Sequence, residues 1–388
     1  MLKSIEVQNF KLFREKTIFS NLKRLNFLTG INGRGKSSML QTLLLVAQSV
    51  TENKFGSKLL LNGCYANLGN GIDIKNDNTS RDNPIFISFE TENSKFEYYF
   101  SFENENDQAL SIDHIIVNGV NYDLLTSDIQ LEDFVPQSLK QDVESFFHNV
   151  AYVSAERIGP QLHYSHSNNK QIVGPQGEFT ACALYNNKDL RISDEFVDGI
   201  IDLFPELLPE DLDHSMAGQV QFWLSLMFKD VQIETQYINE ANEYVMKFYR
   251  SDSRGKFKPT NVGYGYSFAL PIIVAGLLAE KGSVLIVENP EAHLHPKAQN
   301  IIGKFMSLLS ENGVQVFVET HSEHIINATR VLLVQEAFDV DNLNIMYFDD
   351  ADESYYKHIV VNEDGLIENW PDGFFDQSEL DNNIILGI

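Results

Sequence analysis

The sequence is poor in several features that would place it in a specialised class of protein. It contains only two cysteines, Cys64 and Cys182, and their separation matches neither a disulfide framework nor a metal-ligand spacing. The longest apolar run, 268–279, contains Pro271 and is shorter than the roughly 20 residues that a membrane-spanning helix needs. The first residues lack the apolar core of a secretory signal. These absences predict a cytoplasmic protein without a membrane span.

Positive charge is also scarce. The 388 residues include 29 Lys and Arg against 55 Asp and Glu, so the formal net charge is −26. A protein that coats duplex nucleic acid usually has a basic surface, and this balance argues against that role. The charge is uneven, because residues 1–60 hold ten Lys and Arg, while residues 349–388 hold eleven acids and one Lys. The basic end suits a polyanion and the acidic end a basic partner, although a solvated, polarised surface explains the pattern equally well.

The remaining composition is that of a folded protein with a large core. Hydrophobic residues make up 43% of the chain, and 27 Phe and 15 Tyr supply apolar surface to bury, which excludes disorder over most of the length. The length predicts two domains, or one domain with a substantial insertion. Alternating apolar residues predict a strand hairpin over 85–89 and 96–102, whereas 120–150 and 185–250 have mainly helical patterns.

A glycine-rich loop near the N-terminus carries the most specific signal. Residues 30–37, G-I-N-G-R-G-K-S, satisfy G-x-x-x-x-G-K-[S/T] and lie between a short apolar strand pattern and a helical pattern. In such a loop the backbone N–H groups face phosphate oxygens, and the helix N-terminus adds partial positive charge. Lys36 is expected to reach the β- and γ-phosphates, and Ser37 to bind Mg²⁺. The predicted ATP-binding residues of this loop are Gly30, Asn32, Gly33, Gly35, Lys36, Ser37 and Ser38.

Two buried strand patterns later in the chain end in polar clusters. The apolar run 284–287 is followed by Glu288, and the run 314–318 is followed by Glu319 and His321. Because ligands of open α/β sheets bind at the carboxyl ends of the strands, Glu288 is the predicted second Mg²⁺ ligand. A neutral His321 imidazole is suited to hydrogen-bond a γ-phosphate or the attacking water, although a capping or core histidine is the plainer interpretation.

A pair of glycines precedes the apolar helix pattern at 268–279. Gly263, Gly265 and Ser267 would form another helix N-terminus with a permissive backbone. That arrangement is suited to a second phosphate contact. A plain flexible turn is the alternative.

Together these motifs resemble the ATP-binding-cassette ATPases of the RecF/SMC/OLD group. The resemblance is carried by the phosphate loop, the glycine–serine helix start, V-L-I-V-E-N-P-E-A-H-L-H-P at 284–296 and E-T-H-S-E-H at 319–324. More narrowly, Y-V-S-A-E-R-I-G-P at 152–160 and N-W-P-D-G-F-F-D-Q at 369–377 resemble compact prokaryotic ATPases with a C-terminal domain of unknown function. Related ATPases are subunits of anti-phage systems, including Septu-like and retron-associated ones.

The resemblance implies a role for each motif. Gly30, Gly35, Lys36 and Ser37 match the Walker A loop, Glu288 the Walker B metal ligand and His321 the switch histidine. Gly263, Gly265 and Ser267 stand where the signature motif would be. In this superfamily the signature of one subunit closes over the nucleotide of another, which implies a homodimer, or a higher homo-oligomer, around ATP. Two helix N-termini that clamp one γ-phosphate make a contact that ADP cannot make.

The chain departs from the family pattern at two places. The position after the metal ligand is usually a glutamate that serves as general base, but here it is Asn289, which cannot accept a proton. Either another group takes the proton or hydrolysis is slow, and slow turnover is the favoured interpretation. The other acceptors considered are Glu291, Glu319 and His321. No Q-loop glutamine is identified, because the segment after the relevant strand contains no Gln. Glu156 and Arg157 stand there instead, and they are interpreted either as sensor or trans contacts or as a buried ion pair.

Two charged segments offer other functions. An acidic cluster suggests a nuclease metal site, but a hairpin with strands 343–348 and 355–361 is favoured, because too few residues follow His321 for the Toprim domain of an OLD-type nuclease. The acids are Asp349, Asp350, Asp352 and Glu353. A basic loop is the best candidate for contact with nucleic acid, although a solvated loop is the plainer interpretation. Its residues are Arg250, Arg254, Lys256 and Lys258.

These observations predict an α/β fold, an ABC-type P-loop ATPase head with a helical signature lobe and a small C-terminal β element. The predicted divisions are an ATPase lobe at 1–155, a helical lobe at 156–280, the Walker B and switch-histidine core at 281–335, and the C-terminal element at 336–388. The predicted function is a slow, Mg²⁺-dependent ATPase that dimerises around nucleotide and regulates a separately encoded effector nuclease in an anti-phage module. The alternatives are a RecF/SMC-like DNA-maintenance ATPase and an OLD-like nuclease with its own metal site.

Overall fold

Two large β-sheets and a layer of helices organise the chain. The computed structural model describes residues 1–139, 147–207, 212–229, 231–250, 255–349 and 355–386, without the side chains of Arg250, Ser378 and Glu379. The strands are β1 Leu2–Gln8, β2 Thr17–Phe19, β3 Leu25–Gly30, β4 Lys58–Leu60, β5 Ile85–Thr91, β6 Lys95–Ser101, β7 Ala109–Val117, β8 Val120–Asp123, β9 Leu131–Glu132, β10 Val135–Pro136, β11 Val150–Val153, β12 Val231–Ile238, β13 Glu243–Arg250, β14 Lys256–Phe257, β15 Val284–Glu288, β16 Gln315–Glu319, β17 Leu343–Phe348 and β18 Lys357–Ile359. The helices are α1 Lys36–Glu52, α2 Gly71–Ile74, α3 Thr180–Asn187, α4 Asp194–Leu203, α5 Met216–Phe228, α6 Tyr264–Leu278, α7 Pro296–Glu311, α8 Glu323–Val334 and α9 Gln377–Leu386.

The central sheet has six strands in the order β11-β15-β16-β3-β17-β18. The first five are parallel and β18 is antiparallel to β17, so the sheet is mixed and the predicted α/β fold is confirmed. Its strands are continuous apolar runs because both faces are covered. In β15, Val284 and Ile286 pack into one core, whereas Leu285 and Val287 pack into the other.

The second sheet is antiparallel, in the order β2-β1-β5-β6-β7-β4, with β8 paired to β7. Together with α1 it covers one face of the central sheet, while α3 to α8 form the core on the other face. The predicted hairpin over 85–89 and 96–102 is confirmed as β5 and β6. Along β6 alternate side chains are buried, as expected for a sheet with one face on the core.

Two helical predictions are wrong for the described residues. Within 120–150 the chain forms β8, β9, β10, the start of β11 and two short 3₁₀ turns, and the helix expected there is absent from the described part. The sequence does contain the relevant signal, since Asn118 and Gly119 have φ of 50° and 81° and join β7 to β8 as a tight hairpin turn. Within 185–250, α4 and α5 are helical, but 231–250 is the hairpin of β12 and β13. The alternation in V-Q-I-E-T-Q-Y-I is a strand pattern.

The predicted C-terminal hairpin is formed, but its first strand has a larger role than expected. β17 matches the predicted strand 343–348, and it lies beside the phosphate-loop strand β3 inside the central sheet. β18 covers 357–359 of the predicted second strand. Among the described helices, none is long and apolar enough to cross a membrane. A cavity of about 850 Å³ lies between α4 and the C-terminal ends of α7 and α8, and its lining, which includes Asp198 and Asp202, contains no residue of the phosphate loop.

Candidate nucleotide-binding site

The sheet brings the three main sequence motifs to one edge. Gly30, Glu288 and Glu319 are the last residues of β3, β15 and β16. These strands are parallel neighbours, and Glu288 pairs directly with Glu319 across β15 and β16. Motifs that lie almost 300 residues apart in the chain therefore meet at the carboxyl edge, where open α/β sheets bind ligands.

The loop between β3 and α1 depends on glycine at three positions. Gly30, Gly33 and Gly35 have φ of 117°, 76° and 106°, values that residues with a Cβ rarely adopt. A Cβ on Gly30 would lie 2.1 Å from the carbonyl oxygen of Phe348, and one on Gly35 would lie 2.7 Å from Phe13 Cζ. The loop therefore packs closely between β17 and the turn that follows β1. Its shape is set by tertiary contacts as well as by its own glycines.

Lys36 is folded into this loop. Its side-chain Nζ donates to the carbonyl oxygens of Gly30 at 3.0 Å and Ile31 at 2.8 Å, and the residue is 3% exposed. Burial lowers the pKa of Lys36, while the nearby Glu319 carboxylate acts in the opposite direction. The first turn of α1 has no acidic residue and no side-chain cap, so its N–H groups are available to an anion. Asn32 and Gly33 are exposed at the tip of the loop.

Ser37 and Glu319 are in direct contact. Ser37 Oγ lies 3.0 Å from Oε1 and 2.8 Å from Oε2 of Glu319, and it donates to this carboxylate. Burial first, and then the neighbouring Glu288, raise the pKa of the Glu319 carboxyl to about 7. Glu288 accepts a bond of 3.2 Å from the N–H of Ala155, and burial raises its pKa too. The sequence predicts Ser37 and Glu288 as Mg²⁺ ligands, and the Ser37 hydroxyl contacts the neighbouring carboxylate, that of Glu319.

This arrangement fits a divalent cation. Two carboxylates lie side by side in a largely buried position, where their mutual repulsion favours a bound positive charge. Mg²⁺ in nucleotide sites is usually held by one or two carboxylates, a hydroxyl and substrate phosphates, with water completing the shell. Among the described residues no group of three or more His, Cys, Asp or Glu side chains is placed to hold a metal by itself.

The loop after β16 is held by Glu291. Its carboxylate accepts 2.7 Å bonds from Thr320 Oγ1 and from the backbone N–H of His321. Both of its oxygens are engaged, so Glu291 orients the His321 segment. Burial, followed by the positive charge of Lys36, lowers the pKa of the His321 imidazole. His321 itself is exposed at the edge of the site.

The turn after Glu288 adopts an unusual backbone conformation. Asn289 has φ of 44°, in the left-handed region, and its N–H donates to Glu319 O at 2.8 Å. Arg157 donates from Nη1 to Glu288 O and from Nη2 to Asn289 O, at 2.7 and 2.6 Å. The Arg157 side chain therefore contacts main-chain carbonyls, and no ion pair to it is found among the described residues.

The glycine pair of the signature-like segment lies at the start of α6. Gly263 is the N-cap residue and Gly265 is in the first turn, where a Cβ would approach His293 O to 3.1 Å. Tyr264 between them is 59% exposed, whereas Ser267 is 6% exposed. The accessible groups at this helix start are therefore the backbone and Tyr264, while Ser267 faces the interior.

The acidic cluster of the alternative nuclease site and the basic loop suggested to contact nucleic acid both lie partly outside the described residues. Asp349 is buried and bonded to Lys357 at 3.0 Å, while Asp350, Asp352 and Glu353 lie outside the described residues. Lys256 pairs with Glu234, and Lys258 is exposed. Arg254 and the side chain of Arg250 also lie outside the description. The predicted nuclease site and nucleic-acid contact remain predictions.

Comparison with known families places most of the chain. Residues 1–326 match the family described as AAA ATPase domain. Residues 339–383 match a family described as a protein of unknown function, DUF3696. No curated protein matches the chain.

Among solved structures the chain is similar to SMC head domains. One, from Pyrococcus furiosus and bound to the C-terminal domain of ScpA, is 9% identical with a TM-score of 0.50, and the match covers 99% of both chains. A second SMC head, bound to the C-winged helix domain of ScpA, is 9% identical over 92% of this chain and 97% of its own, with a TM-score of 0.49. The SMC head from Thermotoga maritima is 12% identical over 93% and 99%, with a TM-score of 0.43. At these identities the likeness concerns the fold alone.

Proposed function

Because the chain belongs to the AAA ATPase domain family, we propose that it binds Mg²⁺-ATP at the carboxyl edge of the central sheet and hydrolyses it slowly. The observation that carries the proposal is the meeting of Ser37, Glu319 and Glu288 beside a glycine loop whose lysine is already folded inward. The glycine loop supplies backbone N–H groups for phosphate, and the paired carboxylates supply negative charge for the cation.

Each part of the site has a distinct role in this proposal. Lys36 exchanges its bonds to Gly30 and Ile31 carbonyls for phosphate oxygens, which needs little movement of its stem. Ser37 and Glu288 hold the cation, as the sequence predicted, and the contact between Ser37 and Glu319 adds Glu319 to that set. The bound cation would neutralise developing charge on the phosphates. His321, whose backbone N–H is held by the Glu291 carboxylate, would contact the γ-phosphate or the attacking water.

Slow turnover follows from the absence of a free carboxylate after Glu288. Asn289 cannot accept a proton, both Glu291 oxygens already accept hydrogen bonds, and Glu319 shares the single Ser37 hydroxyl proton and is assigned to the cation in this proposal. A positioned general base typically contributes about 10²- to 10⁴-fold to the rate, so its loss leaves a nucleotide-bound state with a long lifetime. A long-lived bound state suits a conformational signal.

The proposed signal is dimerisation around ATP. The start of α6 is exposed at Tyr264, carries the two glycines and has no side-chain cap, so its N–H groups can approach the nucleotide of a second copy. The proposal includes a separately encoded effector nuclease as the partner that reads this state in an anti-phage module. That partner is suggested by the resemblance of segments 152–160 and 369–377 to compact prokaryotic ATPases, because related ATPases are subunits of anti-phage systems.

The test combines light scattering after size exclusion with phosphate release, without nucleotide and with Mg²⁺-ATP. A shift to dimer or larger with ATP and slow phosphate release is expected. Lys36→Ala should lose the shift and most of its ATP affinity. Lys304→Ala is the control, because Lys304 is a partly buried lysine on α7 whose amine lies over the Phe204 ring. Tight ATP binding by Lys36→Ala would overturn the site assignment.

The partner proposal needs a separate experiment. Co-expression with the products of neighbouring genes should yield a complex with a nuclease whose stability or activity changes between ATP and ADP. Mg²⁺-dependent DNA cleavage by the purified chain alone would contradict the need for a separate effector. ATP-dependent DNA binding that weakens steeply with salt would favour a DNA-maintenance role.

A further inference from the structure

Arg157 is buried between the turn that follows Glu288 and the start of α6, and the proposed function uses both. It lies on the loop after β11 and is 4% exposed. Its guanidinium makes bonds of 2.6–2.7 Å with the carbonyl oxygens of Ser154, Glu288 and Asn289. All three acceptors are backbone atoms, so Arg157 holds the course of the chain at the end of β15.

The turn that Arg157 holds is a strained one. Asn289 has φ of 44°, in the left-handed region of backbone conformation. A residue other than glycine keeps such a conformation only where the surrounding structure fixes it. The bonds to Glu288 O and Asn289 O flank the Glu288–Asn289 peptide. That peptide joins Glu288, which the proposed function assigns to the cation, to the segment that leads to His293.

The guanidinium of Arg157 lies over a ring at the beginning of α6. The Arg157 carbon Cζ lies 5.5 Å from the centre of the Phe268 ring. Phe268 in turn contacts His293 at 4.3 Å between ring centres, and His293 lies near Tyr264 at 5.5 Å. The same stack therefore includes the segment after Glu288 and the exposed start of α6.

We propose that Arg157 is a positioning residue that ties the start of α6 to the Glu288–Asn289 turn, so that nucleotide bound to one subunit orients the helix start that clamps the nucleotide of the other. The proposal rests on the proposed function and names the connection on which dimerisation depends. Arg157 does not touch the nucleotide in this scheme. Its Nη atoms are committed to carbonyl oxygens and it is buried, which excludes a role as an exposed trans contact.

An arginine is required for geometric reasons. Its planar fork directs several N–H groups at fixed angles, so one side chain can satisfy three carbonyls while its flat face rests on Phe268. A lysine ammonium is a point donor without such a face. Lysine should therefore restore part of the bonding to the turn but not the packing against α6.

The test compares Arg157→Met, Arg157→Lys and Phe268→Leu with the unmodified chain, measuring Mg²⁺-ATP affinity of dilute monomer, ATP-driven dimerisation and phosphate release. For Arg157→Met we expect affinity within about threefold of the unmodified chain but dimerisation weakened by about tenfold or more, within the usual range of coupling between sites. The dimerisation of Arg157→Lys should be intermediate between that of Arg157→Met and that of the unmodified chain. Phe268→Leu should also weaken dimerisation.

The matched control is Arg330→Met. Arg330 also donates to a backbone carbonyl, that of Gly365 at 2.8 Å, and lies over an aromatic ring, that of Trp370 at 5.9 Å. It should lower the melting temperature without changing dimerisation. Three results would each overturn the proposal. Arg157→Met could dimerise at the same protein concentration as the unmodified chain, or it could lose as much ATP affinity as dimerisation. Alternatively, Arg330→Met could lose dimerisation to the same extent.

The failure of this inference is distinguishable from failure of the proposed function. If the unmodified chain does not dimerise with Mg²⁺-ATP, the proposed function fails first. If the unmodified chain dimerises and the Arg157 variants do so equally well, only the positioning role fails. Should Arg157→Met not fold, Arg157→Lys and Phe268→Leu make the same comparison with smaller changes.

Discussion

At the scale of single residues, Asn289 decides how fast the proposed reaction can be. It follows Glu288 directly, has φ of 44° and gives its N–H to Glu319. Asparagine and aspartate are the side chains that best tolerate this backbone region. The position can therefore receive a carboxylate without a change of backbone.

We predict that Asn289→Asp raises phosphate release at saturating Mg²⁺-ATP. The increase should be about tenfold or more if the new carboxylate accepts the proton of the attacking water. Asn21→Asp is the control for charge at a left-handed asparagine, since Asn21 has φ of 56° and lies on the turn after β2. Unchanged or slower release would mean that the proton is taken elsewhere, and His321 would become the first residue to change.

At the scale of elements, the junction of β3 with β17 determines whether the phosphate loop can form. Gly30 ends β3 directly beside Phe348, the last residue of β17. Space for a side chain is absent there, whereas Gly33 at the loop tip has open space around it. Two glycines of the same motif should therefore respond differently to the same substitution.

Gly30→Ala should destabilise the fold by about 3 kcal/mol or more, because the added methyl group meets the Phe348 carbonyl and the positive φ is unfavourable for alanine. Gly33→Ala should cost about 1–2 kcal/mol, since only the backbone conformation opposes it. Urea unfolding of both variants measures the difference. Equal costs would show that the β3–β17 contact is looser than described.

At the scale of the whole molecule, Gln315 connects the two large sheets. Its Nε2 donates to the carbonyl oxygens of Leu2 at 2.7 Å and Lys23 at 3.0 Å, and its Oε1 accepts from the Leu2 N–H at 2.8 Å. The start of β1 in the antiparallel sheet is thus held to the start of β16 in the central sheet. These partners are 313 and 292 positions apart in the chain.

Gln315→Met should lower the free energy of unfolding by about 2–4 kcal/mol, because several buried backbone groups lose their partner while the volume is kept. ATP affinity of the folded fraction should be unchanged, since the site lies at the opposite ends of these strands. Gln377→Met is the control, as Gln377 bonds only the exposed Asp381 in the described structure. A change of less than about 0.5 kcal/mol would contradict a connecting role for Gln315.

Much of the site was predictable because its motifs are local. The G-x-x-x-x-G-K-S loop, the strand before it and the helix after it lie in one continuous stretch of the chain, from β3 to α1. The runs before Glu288 and Glu319 are continuous and apolar, which indicated parallel strands buried on both faces. The missed elements, β8 and the hairpin of β12 and β13, did carry turn and alternation signals in the sequence.

The sequence by itself determined the ATPase motifs and the mixed α/β sheet, because spacing within a motif and hydrophobic period are local properties of the chain. Only the tertiary structure decided which side chains of different motifs touch. Ser37 meets Glu319 because β16 lies beside β3, while β15, with Glu288, is one strand further away. Arg157 reaches the turn after Glu288 because β11 pairs with β15. Strand order depends on packing between distant segments, so no pattern within any one motif contains it.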